Sequence, residues 1–299
     1  MSQKNAVQNQ DVKSGNKYNV IIVGAGKQGC FSDAPGSGNE HKIISFAHAV
    51  TEHPGFELNG FYDSDHTKSL KAQEYWGGCA FATIERALNP AGCKKPDVVV
   101  IATPDNLHYE LLKHLAYFPL KLVIVEKPLC TNLQQAREVV ELYKAKGRDL
   151  CVNYTRMFLP YYEELRQRYL SGEFGKLIWG KAVFNRGLLH TGTHAISFLN
   201  WIEPRPEHKH SYFCLEPFEN YRIWQIELFF EKYHWQEQRI GDMPVWPYYD
   251  KSHWHVVENA YQFLQGREPL KCTAEDALRT LEICFELMTK DKPLMEGAK

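Results

Sequence analysis

A glutamate and a lysine stand directly after an apolar stretch of the chain. Residues 123–125 read Val-Ile-Val, and Glu126, Lys127 and Pro128 follow at once. Such a run is typical of a buried parallel strand, and ligands bind at the carboxyl ends of such strands. An amine that is partly desolvated there loses its proton more readily and can exchange it with a bound molecule. We therefore predict proton-transfer chemistry at Lys127, which a Glu126 carboxylate aimed at the same amine would oppose.

A glycine-rich turn follows the first apolar run of the chain, YNVIIV (18–23). The turn reads Gly24-Ala25-Gly26-Lys27-Gln28-Gly29 and fits the pattern G-x-G-x-x-G. Glycines at these positions permit a tight turn and let a pyrophosphate approach backbone N–H groups at a helix start. Because the turn directly follows a strand, we predict that it binds a dinucleotide, with Lys27 and Gln28 beside the glycines.

An acid follows at the end of the second predicted strand, where Asp63 can accept hydrogen bonds from the adenosine ribose. It lies further from the glycines than usual, because residues 30–42 form an inserted polar loop whose role stays open. No Arg or Lys immediately follows Asp63 to pair with a 2′-phosphate. We therefore expect NAD(H), and NADP(H) stays an alternative because Lys68 or Lys71 can reach back.

Strand and helix patterns alternate over the first half of the chain, which places these residues on a parallel sheet. Apolar or alternating runs predict strands at 18–26, 57–65, 79–82, 97–105, 120–128 and 149–155. Helical spacing predicts helices at 42–53, 83–90, 108–118 and 131–147, the last with a Thr cap and a closing Gly. The predicted fold class is α/β, with a Rossmann dinucleotide-binding domain at residues 18–152.

The second half changes character, and a substrate-binding and oligomerisation domain of the α+β type is predicted for residues 153–299. A helix at 158–175 precedes strands at 176–184, 210–217 and 222–230, and helices return at 255–266 and 273–288. Without regular helices between these strands, the sheet should be mostly antiparallel, open and short. Residues 1–17 are polar and are expected to form a disordered tail.

Composition restricts the class of protein. The chain has 299 residues, 44% hydrophobic, with a formal net charge of −1, which argues against binding to nucleic acid or to an anionic membrane. No apolar run is long enough to span a membrane. The eight cysteines form no C-x-x-C pair, which favours buried thiols in a reducing cytoplasm over a disulfide framework.

Six segments, in this order and spacing, together resemble the glucose–fructose oxidoreductase/inositol dehydrogenase/MocA (Gfo/Idh/MocA) family. They are GAGKQG (24–29), ATPDNLH (102–108), VEKPL (125–129), NYTRMFLPYYEELRQRYLSGEFGKL (153–177), HTGTH (190–194) and NAYQFLQGREPLKCTAEDALRTLEI (259–283). The resemblance implies NAD(P)-dependent transfer of hydride at a hydroxyl or carbonyl group of a sugar, cyclitol or nucleotide sugar. It also implies a homo-oligomer, since the open sheet often forms the dimer interface in that family.

The resemblance assigns roles to individual residues. It implies that the nicotinamide half of the cofactor is lined by Thr103, Pro104, Asn106 and His108. It implies that Lys127 contacts the reacting oxygen beside Glu126, and that cofactor and substrate approach Asn153 and Arg156. His194 corresponds to the histidine of the family's D-x-G-x-H motif, where it often acts as an acid/base partner.

The sequence departs from that motif at His190, which replaces the acid. His190 either takes the place of the acid or binds an anionic substrate group. The general base then stays open: Lys127 accepts the proton, or His194 accepts it while the Lys127 ammonium polarises the oxygen. We expect no metal site, because HTGTH lacks the glutamate of H-E-x-x-H and a glycine separates its histidines.

Two alternatives remain from the sequence alone. The first is a reductase of a non-sugar substrate, such as an aromatic diol or a linear tetrapyrrole. The second is a catalytically retired NAD-binding regulatory protein, which the replacement by His190 and the short sheet both motivate. The segment 235–255 is dense in Trp and Tyr, which suits a sugar platform but is more common in cores and interfaces.

Overall fold

The structure, a computed structural model, describes residues 17–92, 94–203, 223–240 and 247–290. The tail expected at residues 1–17, apart from Lys17, lies outside the described residues. The predicted strand 210–217 also lies outside them, as do Cys93 and Cys214.

Six parallel strands form the sheet of the first half. They are β1 (Tyr18–Val23), β2 (Phe56–Tyr62), β3 (Cys79–Phe81), β4 (Val98–Ile101), β5 (Leu122–Glu126) and β6 (Leu150–Asn153). Their spatial order is β3-β2-β1-β4-β5-β6, and every pairing between neighbours is parallel. This is the doubly wound order of dinucleotide-binding sheets, whose direction reverses between β1 and β4. All six predicted strands are therefore present.

The helices of the first half cover both faces of this sheet, and each except the one at His108–Leu115 begins at a side-chain cap. They are α1 (Phe46–Glu52), α2 (His66–Trp76), α3 (Ile84–Leu88), α4 (His108–Leu115) and α5 (Leu133–Lys146). The predicted Thr cap of α5 is wrong, since Asn132 accepts the N–H groups of Gln134 and Gln135. The closing glycine is confirmed, because Gly147 ends the helix with φ of 59°.

One helix of the first half lacked a clear signal in the sequence. The helix α2 is weakly amphipathic, and it begins where Asp65 accepts the N–H of Thr67. The predicted helix 42–53 begins later than expected, at Phe46, because Ser45 caps it there.

Within the described part of the second half, three antiparallel strands form a sheet at its core. Its strands β7 (Leu177–Phe184), β8 (Ile223–Phe230) and β9 (His234–Ile240) lie in that order. The helices α6 (Pro160–Leu170) and α7 (Thr193–Ile202) pack against the inner face, where Trp224, Ile226 and Leu228 are buried. The expected fold class is confirmed, but the expectation of no regular helix between these strands is wrong. The helix α7 buries Ala195, Phe198 and Ile202 at helical spacing.

Two C-terminal helices return to the first sheet. They are α8 (Ser252–Leu264) and α9 (Ala274–Lys290), and α9 packs against α5 and β6. The six described cysteines are free thiols, and five of them are buried. In the part of the chain that the structure describes, no helix has the length and apolarity needed to cross a membrane.

Candidate active site

A cleft of about 530 Å³ opens where β5 and β6 end and the second half of the chain begins. It unites six residues predicted from the sequence: Gln28, Glu126, Lys127, Asn153, Arg156 and His194. Sequence reasoning missed much of the rest of its wall, which includes Ser32, Asn39, Lys42, Asn185, Arg186, Trp224, Tyr249, Asp250 and His253. Concave sites at this edge of a doubly wound sheet bind ligands.

The three glycines of the turn 24–29 meet different surroundings. Gly24 has φ of +99°, and a Cβ there would stand 2.6 Å from the carbonyl carbon of Ala102. A Cβ on Gly29 would stand 2.1 Å from the carbonyl oxygen of Gly24. A Cβ on Gly26 would meet no atom within 4 Å. Gly24 and Gly29 thus serve the fold of the turn, whereas Gly26 leaves open space over the backbone, which fits an approaching pyrophosphate.

A short π-helical turn, Lys27–Phe31, replaces the long helix that usually follows this pattern. The side chains of Lys27 and Gln28 are exposed, and Gln28 reaches the cleft. Asp63, at the end of β2, accepts the N–H groups of Ala25 at 2.8 Å and Asp65 at 2.9 Å. Asp63 is therefore bonded to the glycine turn, which places its carboxylate beside the predicted cofactor path.

The predicted nicotinamide-lining residues lie in the segment after β4. Thr103 is half-buried, while Pro104 and Asn106 are exposed. His108 is fully buried: its Nδ1 lies 2.7 Å from the carbonyl oxygen of Pro128 and its Nε2 lies 3.2 Å from that of Thr103. Because both ring nitrogens face carbonyls of the chain, His108 joins this segment to the loop after β5.

The carboxylate of Glu126 points toward Asn153 and His253 rather than toward its neighbour Lys127. Asn153 Nδ2 donates to Glu126 Oε1 at 2.7 Å, and His253 Nε2 lies 3.6 Å from the same oxygen. Burial alone would raise the pKa of Glu126, but His253, Asn153 and the charge of Lys127 outweigh it and lower that pKa. Glu126 is therefore an anion held within the cleft wall.

The amine of Lys127 is turned into the cleft. Its Nζ donates to the carbonyl oxygen of His190 at 3.3 Å, and the Lys127–Pro128 peptide bond is cis. Burial lowers the pKa of the amine, against the opposing charges of Glu126 and Asp105. This is the direction that makes a lysine suitable for proton exchange.

The two histidines of HTGTH sit in different surroundings. His190 belongs to a π-helical turn, Leu188–Gly192, and its ring is exposed at the rim. His194 lies in the first turn of α7, with its ring edge-on to Tyr154 and Trp224 at centroid distances of 6.0 and 6.5 Å. Burial and the nearby charges of Lys127 and Arg156 lower the pKa of His194 well below its usual value. His194 is therefore neutral near pH 7.

A buried ion pair supports the far wall of the cleft. Arg156 Nη2 donates to Glu237 Oε1 at 2.7 Å, and its guanidinium lies 4.0 Å from the ring centroid of Trp224. Glu237 also accepts hydrogen bonds from Tyr162 and from the Trp224 indole. Arg156 is thus fixed by a carboxylate and an aromatic face, and it presents one edge to the cleft.

The inserted loop forms a strap across the cleft. It joins the π-helical turn to α1, and its Asp33 accepts the N–H groups of Ile44 at 2.6 Å and Ser45 at 2.9 Å. Lys42 Nζ lies 3.3 Å from Asp250 Oδ1, and the Ile43 N–H donates to the Asp250 carbonyl at 2.6 Å. Residues 32–45 therefore connect the glycine turn to the segment before α8. Among the described residues, no three His, Cys, Asp or Glu side chains are grouped to hold a metal ion.

Residues 18–154 match the Gfo/Idh/MocA family model, which is described as an oxidoreductase family with an NAD-binding Rossmann fold. The match covers somewhat less than half of the chain, so it is this part that is similar to the family. The family expected from the sequence is thereby confirmed, and its description agrees with the predicted NAD.

Curated relatives match over short stretches. The chain is 34% identical over 85 residues to a scyllo-inositol 2-dehydrogenase (NAD(+)) of Bacillus subtilis (strain 168), which is 28% of this chain and 25% of that protein. It is 30% identical over 126 residues to an inositol 2-dehydrogenase of Corynebacterium glutamicum (strain R), covering 42% and 36% of the two chains. The match spans about a third of the length of such relatives.

Solved structures share the fold over almost the whole chain. GenD2 from gentamicin A biosynthesis, in complex with NAD, has a TM-score of 0.72 at 15% identity, with 94% of this chain and 96% of that chain covered. The WlbA dehydrogenase from Bordetella pertussis, in complex with NADH and UDP-GlcNAcA, has a TM-score of 0.70 at 16% identity, with 92% and 95% covered. At such identities the likeness shows the fold alone.

Proposed function

We propose that this protein is an NAD(H)-dependent oxidoreductase acting on a hydroxyl/carbonyl pair of a sugar, cyclitol or nucleotide sugar. One observation carries the proposal: Lys127, Asn153, Arg156 and His194 line a single cleft together with Gln28 of the glycine turn. This arrangement supports a role for Lys127 in proton exchange beside the predicted dinucleotide site. Relatives named as inositol dehydrogenases support the polyol class of substrate.

The directions of two pKa shifts favour Lys127 over His194 as the group that exchanges the proton. Burial moves the pKa of Lys127 down toward neutrality, whereas burial and neighbouring cations move that of His194 away from it. An acid/base catalyst works best when its pKa lies near the working pH. In this proposal the neutral imidazole of His194 hydrogen-bonds and orients the reacting hydroxyl.

The chain's own groups then account for the proton. In the oxidative direction, the Lys127 amine accepts the hydroxyl proton as the carbinol carbon becomes a carbonyl, and the ammonium formed stabilises the carbonyl oxygen. When bound, nicotinamide supplies the acceptor of the hydride. The glycine turn fits the pyrophosphate of the dinucleotide, since the space over Gly26 is open and the Asp63 carboxylate lies beside that turn.

A homo-oligomer through the outer face of the second sheet belongs to the same proposal. On β7, Trp179 is 49% exposed and its ring stacks on Phe229 at a centroid distance of 4.0 Å. Phe229 in turn stacks on His234 at 4.2 Å. Exposed stacked rings on an open sheet are typical of a protein interface.

The test combines binding and turnover. NADH should raise the melting temperature of the wild type and of Lys127→Met alike, while Lys127→Met should lower turnover at least about 100-fold on any polyol that the wild type oxidises. Lys94→Met, which alters an exposed lysine remote from the cleft, is the matched control. Wild-type turnover in Lys127→Met would refute the role of Lys127. Stabilisation by NADH without reaction on inositols, hexoses or nucleotide sugars would refute the activity.

A further inference from the structure

His253 is a buried side chain whose position calls for an explanation beyond packing. It lies in the first turn of α8, only 5% exposed, with its ring edge-on to Phe46 at a centroid distance of 4.6 Å. Its Nδ1 lies 3.3 Å from Ser252 Oγ, whereas its Nε2 has no hydrogen-bond partner within the described residues. Buried ring nitrogens are nearly always hydrogen-bonded.

The unpartnered nitrogen faces the carboxylate beside Lys127. Nε2 is 3.6 Å from Glu126 Oε1, the same oxygen that accepts the Asn153 amide at 2.7 Å. That separation suits an ion pair or a hydrogen bond that tightens when a ligand binds. A phenylalanine could make the contact with Phe46, so the ring nitrogens are needed for Ser252, Glu126 and the cleft rather than for packing.

The consequence concerns Lys127. A carboxylate close to a lysine ammonium favours the charged form and so holds its proton. In this structure Lys127 Nζ instead donates to the His190 carbonyl, while Glu126 is engaged by Asn153 and faces His253. The carboxylate is thus held by partners other than Lys127, while its charge still raises the pKa of the amine.

We infer that His253 is a positioning residue, which holds the Glu126 carboxylate away from the Lys127 amine so that the amine is free to exchange its proton with the substrate oxygen. This inference rests on the proposed function for the part that concerns substrate. The charged and titratable groups that face the pair are Asp105 before α4, His190 and His194 around the start of α7, and His253 on α8.

The test follows the Lys127 proton directly and needs no substrate. Trace acetylation of the full chain with isotope-labelled acetic anhydride from pH 6 to 11, read by mass spectrometry, gives the midpoint at which Lys127 becomes reactive. In His253→Phe the midpoint should rise by about 0.5–1 pH unit, because Glu126 is then free to turn toward the ammonium. His253→Gln, which can still donate to Glu126, should stay within about 0.3 unit of the wild type.

Two further variants decide whether the effect passes through Glu126. Glu126→Gln should lower the midpoint, and adding His253→Phe to it should cause no further shift. His255→Phe alters the same helix outside the cleft lining and should leave the midpoint unchanged. An unchanged midpoint in His253→Phe, or an equal rise in the Glu126→Gln background, would overturn the inference. If His253→Phe does not fold, an unchanged or raised midpoint in Glu126→Gln overturns it. Midpoints that shift as expected, in a protein that oxidises no polyol, would instead count against the proposed reaction alone.

Discussion

Alanine substitution at the glycines of the turn 24–29 should separate the fold from cofactor binding. Gly26 has φ of −94°, which alanine adopts freely, and a new Cβ there meets no atom within 4 Å. Gly26→Ala should therefore change the free energy of unfolding by no more than about 0.5–1 kcal/mol, and any gain comes from restricting the unfolded chain. The methyl group would occupy the space that a pyrophosphate needs.

The cost to binding follows from the hydrogen bonds at stake. A hydrogen bond from a backbone N–H to a charged oxygen contributes about 1.5–3 kcal/mol. Losing one such bond should weaken NADH binding roughly 10- to 100-fold. A fluorescence titration of NADH against the folded variant measures this loss.

Gly29→Ala is the matched contrast within the same turn. Its Cβ would stand 2.1 Å from the Gly24 carbonyl oxygen, so the backbone must shift. Overpacking of this kind costs about 1–3 kcal/mol, which lowers the melting temperature of a chain of this length by about 2–5 °C. Wild-type affinity for NADH in Gly26→Ala, or a wild-type melting temperature in Gly29→Ala, would contradict these assignments.

Three further predictions concern charge and assembly. Burial holds the pKa of His194 well below 6.5, so as pH falls this imidazole takes up a proton in the unfolded chain before it does so in the folded one. The free energy of unfolding, measured by denaturation at pH 7, 6 and 5, should therefore fall by up to about 1.4 kcal/mol per pH unit below pH 6.5. The fall should be less steep in His194→Gln. Glu237→Ala leaves Arg156 buried without its carboxylate partner and should cost about 3–5 kcal/mol in urea unfolding. Glu173→Ala, which removes an exposed ion pair, is the matched control and should cost far less. Trp179→Glu should yield a monomer in sedimentation; a wild type that already sediments as one chain would contradict the interface.

The sheet of the first half was predictable because buried parallel strands read as continuous apolar runs. Val98–Ile101 is fully buried and consists of Val and Ile alone, which leaves little ambiguity. The helix α2 was missed because its weak amphipathic pattern gives little periodic signal, and β9 because His234–Ile240 is mostly polar. The spacing of apolar residues thus identified the strands and helices that have a clearly apolar side, and it overlooked those that lack one.

The candidate site divides in the same way. Glu126 and Lys127 stand at a strand end, so strand prediction alone placed them at the ligand-binding edge of the sheet, whereas Asn153, which pairs with Glu126, came from the family resemblance. Glu237 supports Arg156 from 81 positions further along the chain, and no local pattern announces such a pair. His253 was missed as a site residue, because its relation to Glu126 exists only after α8 has packed in the folded chain.

The strap formed by residues 32–45 has a mechanical consequence for how ligands enter. Lys42 and Ile43 bind Asp250, and the His253 N–H donates to the Ile43 carbonyl at 3.2 Å, so the glycine turn and the start of α8 are held together without any ligand. A hinge that widened the cleft would have to break an ion pair and two backbone hydrogen bonds at once. Opening this side of the cleft therefore requires residues 32–45 to release Asp250 and the start of α8.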